Sequence, residues 1–166
     1  MRVRLFTIGY AGAVGAVLFE HLEAAEVKAL IDVRLNPWSQ VEAFQRDKIS
    51  IAAKARGMRY EHWRGLGNPF RPKDGEKMGV EESMRLYRAA LLKGAERGPL
   101  GLFLLALERG GLRDAAILCG CASAARCHRG VLAEELVNLT KARGVIELEV
   151  AHLPRRRTSD QATMFG

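Results

Sequence analysis

Apolar and polar positions form two alternating patterns along the chain: short continuous apolar runs, and longer stretches with apolar residues three or four positions apart. Runs of the first kind predict five strands, at 3–8, 29–33, 58–63, 115–119 and 145–150. Stretches of the second kind predict five helices, over 14–26, 49–56, 81–92, 100–108 and 127–143. The segment 65–79 is rich in glycine and proline and predicts a loop.

Short strands that alternate with helices are typical of βαβ units. The pattern therefore predicts the α/β class, as a three-layer sandwich whose mostly parallel sheet of about five strands has helices on both faces. We expect a single domain over residues 1–153, followed by a basic tail at 154–166 that packs loosely. The chain of 166 residues is long enough to bury a proper core.

Unusual side chains follow the ends of four predicted strands. They are Tyr10 after the first, Asp32, Arg34 and Ser39 after the second, Trp63 after the third, and the segment 119–129 after the fourth. Ligands of open α/β sheets bind at the carboxyl ends of the strands. The sequence therefore predicts a site at this edge of the sheet.

All three cysteines lie in one stretch, AILCGCASAARCHRG at 116–130. A metal site, a reactive thiol and simple core packing are the alternatives. A zinc site needs four ligands, and C-x-C-x5-C-H is not a usual zinc spacing. Adjacent residues at a helix start also point about 100° apart, so that Cys127 and His128 would not face one ion. We therefore expect no metal.

Cys127 is the candidate for a reactive thiol, whereas Cys119 ends an apolar strand and is most simply a core residue. The predicted helix start and the neighbouring cations Arg126 and Arg129 would lower the pKa of Cys127. The same arginines and the helix amides would bind a phosphate or carboxylate. Arg34 either joins this anion site or pairs with an acidic neighbour such as Asp32.

Charge and the absence of certain motifs limit the partners. The net charge of +7 and the pI near 9.7 favour anionic partners. The dinucleotide fingerprint G-x-G-x-x-G and the P-loop lysine motif are absent, so we expect no nucleotide cofactor and no other cofactor. No apolar run reaches the ~18 residues of a membrane span. The number and spacing of the cysteines indicate free thiols and hence a cytoplasmic location.

Four motifs carry a family resemblance: TIGYAG, DVRLNPWS, YEHWRGLGN and ILCGCASAARCHRG, which span Thr7 to Leu132 in this order. With them the chain resembles the domain-of-unknown-function family 488. The resemblance implies a Rossmann-like three-layer α/β domain and no defined activity. Many members have an acidic residue where Cys121 stands, which makes Cys121 the weakest of the three cysteines as an essential residue.

These observations lead to two hypotheses for function. The first is an enzyme for a phosphate-bearing substrate, a nucleotide or nucleic acid, in which Cys127, His128 and Asp32 are catalytic. Its substrate-binding residues would be Tyr10, Arg34, Ser39, Trp63, Arg126 and Arg129. The alternative is a non-catalytic nucleic-acid-binding module that uses the basic surface and the arginines at 155–157. An interaction domain without a ligand is a third option, which would leave the strand-end residues without a shared role.

Overall fold

The structure is a computed structural model that describes residues 1–73 and 77–154. Five strands lie in these residues: β1 (Arg2–Gly9), β2 (Ala29–Asp32), β3 (Arg59–His62), β4 (Ala115–Cys119) and β5 (Glu147–His152). So do five α-helices: α1 (Gly15–Ala24), α2 (Arg46–Ala55), α3 (Val80–Lys93), α4 (Pro99–Glu108) and α5 (His128–Arg143). None of these helices is both long enough and apolar enough to cross a membrane. The predicted tail lies outside the described residues beyond Pro154.

The five strands form one sheet in the order β3-β2-β4-β1-β5, and all four pairings are parallel. Each residue of β4 is buried, because the central strand of a parallel sheet is covered on both faces. Exposed and partly buried positions alternate along most of the edge strand β5, which explains its weak apolar signal.

Helices cover both faces of the sheet and divide the core in two. Leu22 of α1 and Ile49 of α2 belong to the apolar cluster on one face. Tyr87 of α3, Phe103 of α4 and Leu136 of α5 belong to the cluster on the other face. The prediction of a three-layer α/β fold with a parallel five-stranded sheet is therefore confirmed.

Element boundaries differ from the prediction by up to three residues, and helix α2 and strand β5 are examples. Helix α2 begins at Arg46, three residues before the predicted start, because its first turn is polar and carries Asp47, a favourable charge at a helix N-terminus. Gly57 follows this helix with φ +72°, so the predicted stop is confirmed. Strand β5 begins and ends two residues later than the predicted run.

The sheet has a topological switch between its neighbours β2 and β4. Helix α2 leads from β2 over one face to β3, whereas α5 leads from β4 over the other face to β5. Open α/β sheets bind ligands outside the carboxyl ends of the strands at such a point. The strand ends at this point are Asp32 and Cys119.

Candidate functional site

The three cysteines converge at the end of β4. Cys119 is the last residue of the strand, Cys121 lies in the loop that follows, and Cys127 immediately precedes α5. Their sulfur atoms all lie within 4.8 Å of one another, and those of Cys119 and Cys121 are 3.8 Å apart. Cys119 and Cys127 are buried, while Cys121 is half-buried. We refer to these three residues as the thiol cluster.

His128, the first residue of α5, lies against the thiol cluster. Its Nε2 lies 3.0 Å from the carbonyl oxygen of Val33, which only accepts hydrogen bonds, so this nitrogen carries the proton. Its Nδ1 therefore has a free lone pair, and this atom is 3.7 Å from the sulfur of Cys119 and 3.8 Å from that of Cys127. Burial lowers the pKa of His128 and favours the neutral ring.

The expectation that Cys127 and His128 would point apart is wrong for these two residues. Cys127 is not in the helix: its backbone is extended, with φ −139° and ψ 144°, because it is the residue that caps α5. The angular spacing of helical neighbours therefore does not apply to it. Both side chains turn toward the same point.

The predicted low pKa of Cys127 is also wrong. The pKa of Cys127 is raised, because its thiol is held in a hydrogen bond to Cys119 and is buried. The pKa of Cys119 is lowered instead, since the thiols of Cys121 and Cys127 stabilise its thiolate and the charge of Arg129 adds to the effect. The cluster therefore favours a thiolate on the strand residue Cys119 and not on Cys127.

Arg129 braces the loop that carries the cluster. Its guanidinium is buried and donates to the carbonyl oxygens of Cys121, at 2.9 Å, and Ala122, at 3.5 Å. Its Nε is buried without a hydrogen-bond partner in the part of the chain that the structure describes. A positive charge is thus fixed directly behind the thiols.

A cavity of about 310 Å³ opens onto the cluster. It is lined by Asn68, Arg71, Pro72, Val80, Ser83, Met84, Cys119, Cys121, Arg126 and His128. Arg71 and Arg126 are exposed and form no ion pair within residues 1–73 and 77–154. The cavity thus brings thiols, an imidazole and two available cations together.

Six of the lining residues were not identified from the sequence: Asn68, Arg71, Pro72, Val80, Ser83 and Met84. Asn68 Nδ2 donates to Ser83 Oγ at 3.1 Å, and this hydroxyl donates to the carbonyl of Phe70 at 2.8 Å, which fixes the loop with Arg71 against α3. One signal was available: Ser83, Tyr87 and Leu91 are four positions apart on the buried side of α3. A polar residue in such a stripe indicates a partner or a site.

Asp32 and Arg34 form a buried network beside the cavity rather than in its lining. The carboxylate of Asp32 is fully buried and accepts hydrogen bonds from Arg34 and, at 2.6 Å, from the hydroxyl of Tyr60. The same guanidinium donates to the Tyr10 hydroxyl at 3.2 Å and to the carbonyl of Phe44 at 2.7 Å. The pKa of Tyr60 is raised by its burial and by its hydrogen bond to Asp32.

Three other predicted binding residues lie outside the lining of this cavity. Tyr10 stacks on Phe44 with ring centroids 4.4 Å apart. Trp63 packs edge-on against Phe103 and donates to Glu61 at 2.9 Å. Ser39 is buried, and its hydroxyl accepts from the amide of Val41 at 3.1 Å. Of the predicted site residues, the cavity lining includes Arg126 and His128.

A larger cavity of about 400 Å³ lies between α3, α4 and the segment 64–69. Its lining is mostly glycine, proline, alanine and leucine, and it contains none of the predicted site residues. This cavity is larger than the one beside the thiol cluster, but among the described residues its lining contains no cysteine, histidine or carboxylate. The smaller cavity is therefore the candidate site.

One comparison with known proteins gives a match. The family model "Domain of unknown function DUF488" matches residues 16–136, which include α1 through most of α5 and therefore the whole thiol cluster. No curated protein and no solved structure matches the chain significantly. The chain belongs to the DUF488 family, whose function is unknown.

Proposed function

We propose that the protein is an enzyme that binds a small phosphate-bearing molecule in the cavity beside the thiol cluster. The observation that carries this proposal is the shared lining: Arg71 and Arg126 border the same space as Cys119, Cys121 and His128. Guanidinium groups bind phosphate oxygens in pairs of charge-assisted hydrogen bonds. A phosphate held by the two arginines leaves the rest of the molecule beside the cluster.

The cavity volume supports a small substrate. Small-molecule sites occupy roughly 300–1,000 Å³, and this cavity is at the lower end of that range. A sugar phosphate or a mononucleotide is therefore favoured over a longer nucleic acid. Val80 and Met84 supply apolar lining for the uncharged part of such a molecule.

The reacting groups in this proposal are those that border the cavity. Cys119 has a lowered pKa, Cys121 is the most exposed thiol, and neutral His128 presents a basic nitrogen to the cluster. Cys127 and Asp32, the other two predicted catalytic residues, are 1 % and 0 % exposed. We assign Cys127 to the support of the cluster and Asp32 to the support of the strand ends.

The test is ligand binding by a variant that lacks both free arginines. Inorganic phosphate and nucleoside 5′-monophosphates are the probes, and thermal shift is the measurement. A ligand at ~100 times its dissociation constant stabilises the folded protein by about 2.7 kcal/mol. Each hydrogen bond to a charged group contributes about 1.5–3 kcal/mol, so Arg71→Ala/Arg126→Ala should weaken binding by at least about 100-fold.

Arg109→Ala is the matched control, because Arg109 is an exposed arginine at the end of α4, outside the cavity. It removes one exposed positive charge and should bind the probes like the wild type. Equal binding by the wild type, the double variant and the control would contradict the proposed site. Weakening in the control as well as in the double variant would indicate a general charge effect.

The nucleic-acid-binding alternative has less support from the structure. It depends on the net charge of +7 and on the arginines at 155–157, and these arginines lie outside the described residues.

A further inference from the structure

We propose that Cys119, Cys121, Cys127 and His128 bind a tetrahedral zinc ion. The inference goes beyond the proposed function, because it depends on the positions of four donor atoms and not on any substrate. With zinc bound, these four donors would be metal ligands that shape the phosphate site rather than its reacting groups. It also replaces our expectation from the sequence that no metal binds.

Three of the six separations between the donor atoms match those around zinc, and the three sulfurs all lie within 4.8 Å of one another. With Zn–S bonds of about 2.3 Å and Zn–N bonds of about 2.0 Å, tetrahedral ligands lie about 3.8 Å apart for two sulfurs and about 3.5 Å apart for sulfur and nitrogen. The sulfurs of Cys119 and Cys121 are 3.8 Å apart. Nδ1 of His128 is 3.7 Å and 3.8 Å from the sulfurs of Cys119 and Cys127.

The chemistry of the donors selects the metal. Thiolate sulfur and imidazole nitrogen suit zinc, whereas magnesium and calcium require oxygen ligands. Three cysteines and one histidine are one of the ligand sets of structural zinc sites. Four protein ligands close the coordination shell, so the ion would fix the loop 119–127 against α5 and form the wall of the cavity.

The surroundings of the donors are also those of a metal site. A histidine that binds a metal usually donates its other ring nitrogen to a carbonyl or carboxylate, as His128 does to Val33 at 3.0 Å. Three thiolates around a dication leave one net negative charge. The buried guanidinium of Arg129 balances it, and its Nε has no partner in the described part of the chain.

The first measurement is the metal content of the native protein, purified with a reductant and without a chelator. We expect about one zinc per chain by elemental analysis. Metal-free protein titrated with Co²⁺ should develop the thiolate-to-cobalt charge-transfer band and the visible bands of a tetrahedral ion. Added Zn²⁺ should remove both.

Cys121→Ala is the informative variant, because Cys121 is half-buried in a loop and its loss disturbs packing least. Loss of a residue that only hydrogen-bonds to a ligand weakens metal binding about 10–100-fold, so loss of this ligand itself should weaken Co²⁺ binding by at least about 100-fold. His152→Ala removes an imidazole that contacts Thr7 in the sheet, and it should bind Co²⁺ normally. Circular dichroism and the thermal melting temperature show whether each variant is folded.

Three results would overturn the proposal. One is reduced wild-type protein whose Co²⁺ spectrum lacks the charge-transfer band. The second is equal Co²⁺ affinity in the wild type and a folded Cys121→Ala variant. The third is a cluster that binds no zinc but forms a Cys–Cys disulfide in air. Because phosphate binding is measured separately on Arg71 and Arg126, the metal site and the substrate site can each fail alone.

Discussion

Asp32 and Arg34 form an ion pair in which both side chains are almost completely buried. Asp32 is 0 % exposed and Arg34 is 5 % exposed. Removal of one partner of a buried ion pair leaves the other charge without compensation, and this costs about 3–5 kcal/mol. The pair lies between β2 and the residues Tyr10, Phe44 and Tyr60, and so joins the strand ends to each other.

Asp32→Asn should therefore lower the free energy of unfolding by about 3–5 kcal/mol, measured by urea denaturation. The substitution keeps the shape of the side chain but leaves the Arg34 guanidinium buried and unpaired. Glu82→Gln is the control, because it breaks the exposed pair with Arg85 and should change the free energy of unfolding little. If Asp32→Asn is as stable as the control but loses activity, Asp32 has the catalytic role that the sequence suggested.

At the scale of elements, the end of β1 packs tightly against the loop that carries the thiol cluster. A Cβ atom at Gly9 would overlap the carbonyl oxygen of Cys121 and lie 2.8 Å from a guanidinium nitrogen of Arg129. Neither neighbour moves freely, because the two are hydrogen-bonded to each other at 2.9 Å. The loop is thus held between β1 and α5.

Gly9→Ala should displace the loop and lower the stability by roughly 1–3 kcal/mol, the usual cost of overpacking. It should also weaken Co²⁺ binding, since Cys121 moves with its carbonyl group. Gly94→Ala is the matched control: its Cβ would meet only Gly98 Cα, at 3.8 Å, and its φ is −112°. Chemical denaturation and cobalt titration of both variants test the expected losses of stability and of cobalt affinity. Unchanged cobalt affinity in Gly9→Ala would show that metal binding does not depend on the position of this loop.

The elements could be predicted from the sequence because their signals are local. The apolar runs of β1, β2 and β4 and the stripe of α3 are each visible within one segment. The parallel order then brings all the carboxyl ends of the strands to one edge. The position of the candidate site therefore followed from the pattern, before any contact was known.

The details of the site depend on contacts between distant segments of the chain. The spacing of apolar residues within one segment does not reveal such contacts. The orientation of Cys127 is set by a turn in which its amide bonds to the carbonyl of Ala124, so it is not helical. The position of Arg71 depends on the hydrogen bond between Asn68 and Ser83. The buried pairing of Arg34 with Asp32 was one of two alternatives, and only the folded chain distinguishes them.

At the scale of the whole molecule, the net charge of +7 attracts anions of any size, whereas the cavity fits only small ones. Binding through the net charge and binding in the cavity respond differently to salt. A nucleic acid bound along a basic surface releases many counterions, and contacts to 6–10 phosphates lose about 10³–10⁵ in affinity between 50 and 200 mM salt. A phosphate held by two arginines in a cavity makes fewer such contacts.

We therefore expect the affinity for a nucleoside 5′-monophosphate to fall by less than about tenfold over this range of salt, by ordinary screening. The affinity for a mixed-sequence oligonucleotide should be weak at 200 mM salt, because on this proposal no extended surface contacts it. Fluorescence anisotropy with labelled forms of both probes provides the measurement, and Arg109→Ala controls for the loss of one charge. Tight, steeply salt-dependent binding of the oligonucleotide, without binding of the mononucleotide, would favour the nucleic-acid module over the enzyme. Arg71→Ala/Arg126→Ala would then weaken oligonucleotide binding only as much as other exposed arginines do.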